Sequence, residues 1–160
     1  MGECTGCVAM KKAIIVYDTV YGNTEKVARA LAQGLESSHT VSVTLTRASE
    51  VDVSRLSEYD IVLVGAPTHA WNASKPIKEF LHGLAKSGLK GKKAFAFDTK
   101  MRSRIAGSAA KHIEKELSKL GAEIARASAS AIVEGNEGPL EEGTESTFTR
   151  IGLDIANTIR

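Results

Sequence analysis

The feature that most constrains this chain is a short apolar run that ends in a polar turn and leads directly into a helical pattern. The apolar run, residues 13–17, predicts a buried strand over about residues 12–17. Apolar side chains at helical spacing then predict a helix over about residues 24–37. This order of strand, tight loop and helix directs backbone N–H groups and the positive end of a helix dipole at one spot. The turn is therefore suited to an anion.

The composition of the turn indicates which anion it suits. It consists of Thr19, Val20, Tyr21, Gly22, Asn23 and Thr24. The two threonines add hydroxyl donors without adding charge, and the turn lacks the lysine that contacts a polyphosphate in G-x-x-x-x-G-K-[ST] loops. The dinucleotide pattern G-x-G-x-x-G is absent as well. We interpret the turn as a site for a single phosphate group; the alternative is a turn that only caps the helix.

Composition and charge narrow the class of protein. A chain of 160 residues with 42% hydrophobic residues is expected to form one globular domain with its own core. No apolar stretch is long enough to cross a membrane, the start is not a secretory signal, and two cysteines are too few for a disulfide framework, so we expect a cytoplasmic protein. A net charge of +2 is too small to indicate nucleic-acid binding. Neither nucleic acid nor a membrane is expected as a partner.

Strand and helix patterns alternate along the chain, which is typical of an α/β fold with a parallel sheet. After the first strand, further strands are predicted at residues 41–45, 61–64, 94–97 and 127–133. After the first helix, further helices are predicted to start at Ser74 as N-cap, to cover residues 105–120 and to cover residues 148–159. A turn or short helix is expected in residues 49–59, and an acidic loop in residues 134–143.

Two more loops leave the carboxyl ends of predicted strands, where ligands bind in open α/β sheets. The second loop, residues 66–73, holds the only tryptophan, Trp71, which either covers the core or offers a flat ring to a planar ligand. The third loop, residues 98–104, carries Lys100, Arg102 and Arg104. Such charges are either solvated or attract an anionic ligand or an acidic partner. All three loops are expected to converge on one crevice.

The N-terminal segment is set apart from the rest of the chain. Residues 1–11 are interpreted as a flexible extension and residues 12–160 as the folded domain. Cys4 and Cys7 form a C-x-x-C pair, but two thiols do not complete a four-ligand zinc site, and the pair does not lie at a strand–helix junction as in thioredoxin-like sites. The four histidines show no ligand spacing. We predict no metal site and no catalytic constellation.

Together the three loops resemble those of the flavodoxins, whose phosphate loop reads roughly [ST]-x-T-G-x-T. Thr19 and the run Gly22-Asn23-Thr24 match this pattern, whereas Tyr21 replaces the middle threonine. A tyrosine there resembles flavodoxin-like quinone reductases and the flavodoxin domains of flavo-diiron proteins. The segments GAPTHAWNASKPIKEFL and KELSKLGAEI are similar to later parts of the family pattern. The resemblance extends over about residues 12–160.

The resemblance implies a flavodoxin-like three-layer α/β/α sandwich with a five-stranded parallel sheet of order 2-1-3-4-5. It resembles the short-chain class, because the last strand lacks the insertion of long-chain flavodoxins. It implies FMN as cofactor, with the phosphate in the first loop and the isoalloxazine ring between the second and third. The FMN contacts implied in this way are Thr19, Val20, Tyr21, Gly22, Asn23, Thr24, Pro67, Thr68, His69, Ala70, Trp71, Asn72, Asp98, Thr99, Lys100, Met101 and Arg102.

Two departures from the family pattern bear on the flavin. The third loop lacks the tyrosine that stacks on the outer flavin face in many flavodoxins, so that either Trp71 is the sole stacking residue or a cationic or aliphatic side chain covers that face. Flavodoxins are usually acidic, whereas this chain is near neutral and its third loop is basic. Positive charge stabilises an anionic reduced flavin, and we therefore expect a less negative potential for the second reduction step.

Three functions are consistent with this sequence. The first is an electron carrier between redox proteins, whose partners would present acidic docking surfaces to the basic third loop. The second is an FMN-dependent NAD(P)H:quinone or small-molecule oxidoreductase, which Tyr21 favours. The third, a receiver-type signalling domain of the same architecture, would need an acidic pair after the first strand, where Asp18 stands alone.

Overall fold

The structure is a computed structural model, and it describes residues 10–68, 73–102, 107–135 and 137–159. The predicted N-terminal extension, including Cys4 and Cys7, therefore lies outside the described residues, apart from Met10 and Lys11. Lys11 already belongs to the first strand, one residue before the predicted start. Within the described residues, none of the helices combines the length and the apolar character that a membrane span requires.

The strands form one sheet in which every ladder between two named strands is parallel. They are β1 (Lys11–Tyr17), β2 (Val41–Arg47), β3 (Ile61–Pro67), β4 (Lys93–Met101), β5 (Glu123–Ile124) and β6 (Ala129–Val133). The order is β2-β1-β3-β4-β5, with β6 also paired to β4. The predicted order 2-1-3-4-5 is confirmed, and β2 is the edge strand that its alternating pattern indicates.

The place of the predicted fifth strand is shared by two short strands. Residues 93 and 94 of β4 pair with β5, and the stretch from Phe97 to Met101 pairs with β6. The second pairing also extends β4 beyond the predicted end at Phe97. Asp98 to Met101 are therefore strand residues and not loop residues, although their polar sequence is typical of a loop. Their backbone groups pair with β6, and this pairing does not depend on the identity of the side chains.

Helices cover both faces of the sheet. They are α1 (Asn23–Ser37), α2 (Lys75–Gly83), α3 (Ala109–Lys119) and α4 (Thr144–Thr158), and a 3₁₀ helix over Val53–Glu58 occupies the predicted crossover after β2. Alternate residues of β1 feed the two cores. Ala13, Ile15 and Tyr17 pack in the core that contains α1 and α4, whereas Ile14 and Val16 pack in the core that contains α2 and α3. This is the three-layer α/β/α arrangement that the resemblance implied.

Two expectations about helix starts need correction. Ser74 occupies the N-cap position of α2, but its side chain makes no capping bond, and its buried Oγ has no partner among the described residues. The third helix begins at Ala109 and not at residue 105; its N-cap is Ser108, whose Oγ accepts a hydrogen bond from the Lys111 N–H. Ile105, expected on the inner face of that helix, lies outside the described residues.

Candidate functional site

One cavity lies beyond the carboxyl ends of the central strands, where the strand order reverses between β1 and β3. Its volume is about 260 Å³. The turn after β1, the end of β3 and the end of β4 all contribute to its wall. The lining residues are Thr19, Val20, Tyr21, Asn23, Thr24, Pro67, Thr68, Thr99, Lys100, Met101 and Val133. The described parts of the three predicted loops thus meet at one place.

The turn between β1 and α1 leads into a helix start that no side chain caps. Gly22 is the N-cap residue of α1 with φ 88°, a left-handed conformation that glycine adopts without strain. Its N–H donates to Thr19 Oγ1 at 2.9 Å, which leaves the Thr19 hydroxyl proton free to donate elsewhere. The first helical bond runs from the Lys26 N–H to the Gly22 carbonyl. The N–H groups of residues 23–25 therefore have no acceptor within the helix.

A buried pair of hydroxyl groups links this turn to β4. Thr24 Oγ1 lies 2.9 Å from Thr99 Oγ1, and both side chains are at least 95% buried. Either oxygen can be the donor of this bond, so one of the two hydroxyl protons remains available to a ligand. Together with the uncapped helix end, this gives the cavity a set of neutral donors at the positive end of a helix dipole. Such a set suits a phosphate group.

Asp98 differs in role from its neighbours on β4. Its side chain is fully buried and does not line the cavity. Instead, its Oδ2 accepts hydrogen bonds from the Thr68 hydroxyl, the Ser108 hydroxyl and the Ala110 N–H, at 2.9, 3.0 and 3.1 Å. This burial does not fit the direct contact between Asp98 and a cofactor that the resemblance implies. The carboxylate lies behind the wall that Thr68 forms, because alternation along β4 turns Asp98 towards α3 while Thr99 faces Thr24.

The basic residues of the third loop are separated by the structure. Lys100 lines the cavity together with Met101. Arg102 does not line the cavity; its guanidinium is paired with the Glu141 carboxylate on the segment before α4. Of these two cations, Lys100 is therefore the one placed to act on a ligand. Ser103 and Arg104 lie outside the described residues.

Four of the expected contacts lie outside the described residues: His69, Ala70, Trp71 and Asn72. Both interpretations of Trp71 stay predictions. Gly22 shapes the turn but does not line the cavity.

Two contributions to the site were missed by sequence reasoning. Val133, the last residue of β6, lines the cavity. The Asn23 side chain donates from Nδ2 to the Glu137 carbonyl at 3.1 Å, which ties the segment after β6 to the start of α1. The signal for Val133 was present, because the carboxyl end of a predicted parallel strand lies at the same edge as the other loops. Nothing in the sequence signalled the Asn23 contact.

The charged side chains of the site do not form a metal centre. Within the described ranges, no group of three or more histidine, aspartate or glutamate side chains could hold a metal ion. In the same residues, no carboxylate lines the cavity. The donors that surround it are hydroxyls, helix N–H groups and one lysine.

Comparison with known proteins identifies the family. The sequence-family model of the flavodoxin domain matches residues 14–136 of the chain. A flavodoxin of Maridesulfovibrio salexigens is 33% identical over 121 residues, which are 72% of this chain and 82% of that protein. The chain belongs to the flavodoxin family. A flavodoxin of Clostridium saccharobutylicum is 31% identical over 96 residues, 60% of this chain, and the matched chain spans only 59% of that protein.

A solved structure agrees with this assignment at the level of the whole fold. A flavodoxin from the domain Archaea matches with a TM-score of 0.77 and 26% sequence identity, covering 91% of this chain and 96% of that chain. Flavodoxins as a family bind FMN. The cavity of this flavodoxin suits such a ligand, because FMN carries one phosphate group and the N–H donors at the start of α1 lack a partner in the helix.

Proposed function

We propose that this flavodoxin binds FMN in the cavity and carries electrons between redox proteins. The observation that carries the proposal is the uncapped N-terminus of α1, which opens on a cavity at the switch point of the sheet. The phosphate would bind the N–H groups of residues 23–25 and the hydroxyls of Thr19 and Thr24. The flavin ring would lie towards Pro67, Thr68 and Lys100, with the loop residues 69–72 as further candidates.

Bound FMN supplies the redox chemistry, and the protein sets its orientation, potential and access. The described cavity wall holds no histidine or carboxylate that could serve as a general acid or base, which suits transfer of electrons alone. Lys100 adds positive charge to the wall and supports a partner with an acidic docking surface. We propose a cytoplasmic location, because two cysteines are too few for a disulfide framework.

The reductase alternative is not favoured, because the relatives and the solved structure named above are flavodoxins. A direct experiment separates the two functions: the FMN-loaded protein is mixed anaerobically with NADH or NADPH, and the flavin absorbance is followed. An electron carrier keeps its oxidised spectrum until a reductase is added. Rapid bleaching by the nicotinamide alone would overturn the carrier proposal in favour of the enzyme.

Binding of FMN is tested by titration of the flavin-free full chain with FMN and with riboflavin, which has the same ring and no phosphate. We expect one FMN per chain and at least about 100-fold weaker riboflavin binding, since one hydrogen bond to a charged group contributes about 1.5–3 kcal/mol. Absence of FMN uptake would overturn the proposal. Equal affinity for the two flavins would overturn the assignment of the phosphate to the turn at residues 19–24.

A further inference from the structure

A buried carboxylate behind the cavity is expensive unless its surroundings compensate its charge. Asp98 is 0% exposed, and within the described ranges it has no ion-pair partner. Its Oδ1 has no hydrogen-bond partner there either. The compensation comes from three donors on the single oxygen Oδ2 and from the N-terminus of α3, whose dipole favours a negative charge. Such an arrangement suggests a role beyond filling the core.

The three donors come from two separate segments of the chain. Thr68 directly follows β3, whereas Ser108 and Ala110 lie at the start of α3. The Thr68 hydroxyl is held from both sides: it donates to Asp98 Oδ2 and accepts from the Ala109 N–H at 3.1 Å. The Thr68 N–H in turn donates to the Thr99 carbonyl at 2.9 Å. Asp98 is the group on which these bonds converge.

This network continues to the phosphate side of the cavity. Thr99, the neighbour of Asp98 on β4, pairs through its hydroxyl with Thr24 of α1. Thr68 and Thr99 both line the cavity, so that the carboxylate lies one side chain behind the wall. Loss of its acceptor oxygen would remove the bonds that hold the Thr68 hydroxyl and the start of α3 to β4, whereas the bond between Thr24 and Thr99 would remain.

We propose that Asp98 is a positioning residue, which through the acceptor Oδ2 holds Thr68 and the start of α3 so that the ring-side wall of the FMN cavity is preformed. The inference rests on the proposed FMN site. Asp98 does not touch the cofactor in this account. Its effect is exerted on the ring of FMN and not on the phosphate, because the phosphate donors belong to α1 and its turn.

The test compares three variants of the full chain. Asp98→Ala removes the acceptor, Asp98→Asn keeps an acceptor oxygen and removes the charge, and Leu117→Ala, a buried residue of α3 outside the network, controls for general loss of stability. We expect Asp98→Ala to weaken FMN binding at least 10-fold more than Leu117→Ala, and Asp98→Asn to stay within about 3-fold of the unaltered protein. The visible circular dichroism of bound FMN should change in Asp98→Ala alone, because it reports the ring environment.

A readout without cofactor accompanies these measurements. Hydrogen exchange of the Ala110 N–H, which donates to Asp98, should accelerate in flavin-free Asp98→Ala beyond its acceleration in Leu117→Ala. If Asp98→Ala does not fold, Ser108→Ala removes one donor to the carboxylate, and together with Asp98→Asn it carries the test. Ser108→Ala is then expected to weaken FMN binding about 3-fold and to accelerate Ala110 exchange.

Three results would overturn the inference. The first is an Asp98→Ala protein, or its substitute Ser108→Ala, whose FMN affinity and dichroism match those of Leu117→Ala. The second is unchanged hydrogen exchange of the Ala110 N–H in that variant. The third is an Asp98→Asn protein that binds FMN as weakly as Asp98→Ala, because the effect would then come from the charge and not from the acceptor oxygen. Failure of the unaltered protein to bind FMN is a separate result. It would overturn the proposed function, and the inference about the FMN wall with it.

Discussion

Gly34 of α1 and Gly152 of α4 lie against each other where the two helices cross. A Cβ built on Gly152 would stand 3.1 Å from Gly34 Cα and only 2.3 Å from the Leu31 carbonyl oxygen. A Cβ on Gly34 would stand 1.9 Å from the Thr149 carbonyl oxygen. The contact is therefore backbone against backbone, and it fixes the position of the helix whose N-terminus opens on the cavity.

The first prediction follows from this contact. Gly152→Ala should lower the free energy of unfolding by about 2–3 kcal/mol, because the added methyl group forces the helices apart and overpacking exceeds the gain in helix propensity. Urea denaturation followed by circular dichroism measures the change. Gly83→Ala is the matched control, since its Cβ would stand 3.6 Å from Val53 Cγ2, an ordinary contact. Equal stability of the two variants would contradict the close approach.

The second prediction concerns the turn at Gly22. Gly22 and Gly91 have nearly the same positive φ, 88° and 85°, and a Cβ on either would have nothing within 4 Å. Alanine at each position should therefore cost a similar amount, about 1 kcal/mol of stability. Only Gly22→Ala should also weaken FMN binding, because the turn before α1 must relax. Loss of FMN affinity in Gly91→Ala as well would show that the effect is general and not local.

The third prediction separates the two cations at the end of β4. Lys100 lines the cavity, whereas Arg102 is paired with Glu141. Lys100→Gln should make the potential for forming the anionic reduced flavin more negative by about 20–40 mV, which corresponds to an interaction of about 0.5–1 kcal/mol for a partly exposed charge. Arg102→Gln should leave the potential nearly unchanged. Spectroelectrochemical titration measures both potentials. A larger shift in Arg102→Gln than in Lys100→Gln would show that Arg102, and not Lys100, sets the electrostatic potential at the flavin.

The fourth prediction concerns pH. The pKa of Tyr17 is raised above 10.0, first by burial and then by the hydrogen bond from its hydroxyl to Glu25 Oε1 at 2.8 Å. Because the folded pKa lies above the unfolded one, the stability that this group contributes is present below pH 10 and is lost as the pH rises through the folded pKa. Stability should therefore fall in alkaline solution.

Tyr17→Phe tests this account. At neutral pH the variant should lose about 0.5–1.5 kcal/mol, because one hydrogen bond is removed, and its stability should then depend less on pH above about 10. Denaturant unfolding at a series of pH values measures both effects. Tyr59→Phe is the control, since the Tyr59 hydroxyl makes a longer, exposed bond of 3.3 Å to Thr44. A pH profile of Tyr17→Phe parallel to that of the unaltered protein would refute the assignment to Tyr17.

Much of the fold was predictable because its signals are local. The apolar run of β1, the polar turn and the helical spacing of α1 lie within one short segment, and each is set by its own periodicity. The uncapped helix end was predictable for the same reason, since it depends on the residues at the start of one helix. The extension of β4 was not, because the polar residues Asp98 to Lys100 join the sheet only through pairing with the distant strands β3 and β6.

The amino-acid sequence by itself determined the alternation of strands and helices and the polar turn from Thr19 to Thr24 that precedes the first helix. These follow from hydrophobic periodicity and from the polar residues of one short segment, which need no distant partner. Only the tertiary structure decided that Asp98 lies behind the cavity wall, that Lys100 faces the cavity while Arg102 pairs with Glu141, and that α1 and α4 meet at two glycines. Each of these features depends on which distant segments of the chain pack together. That packing is set when the helices cover the two faces of the sheet.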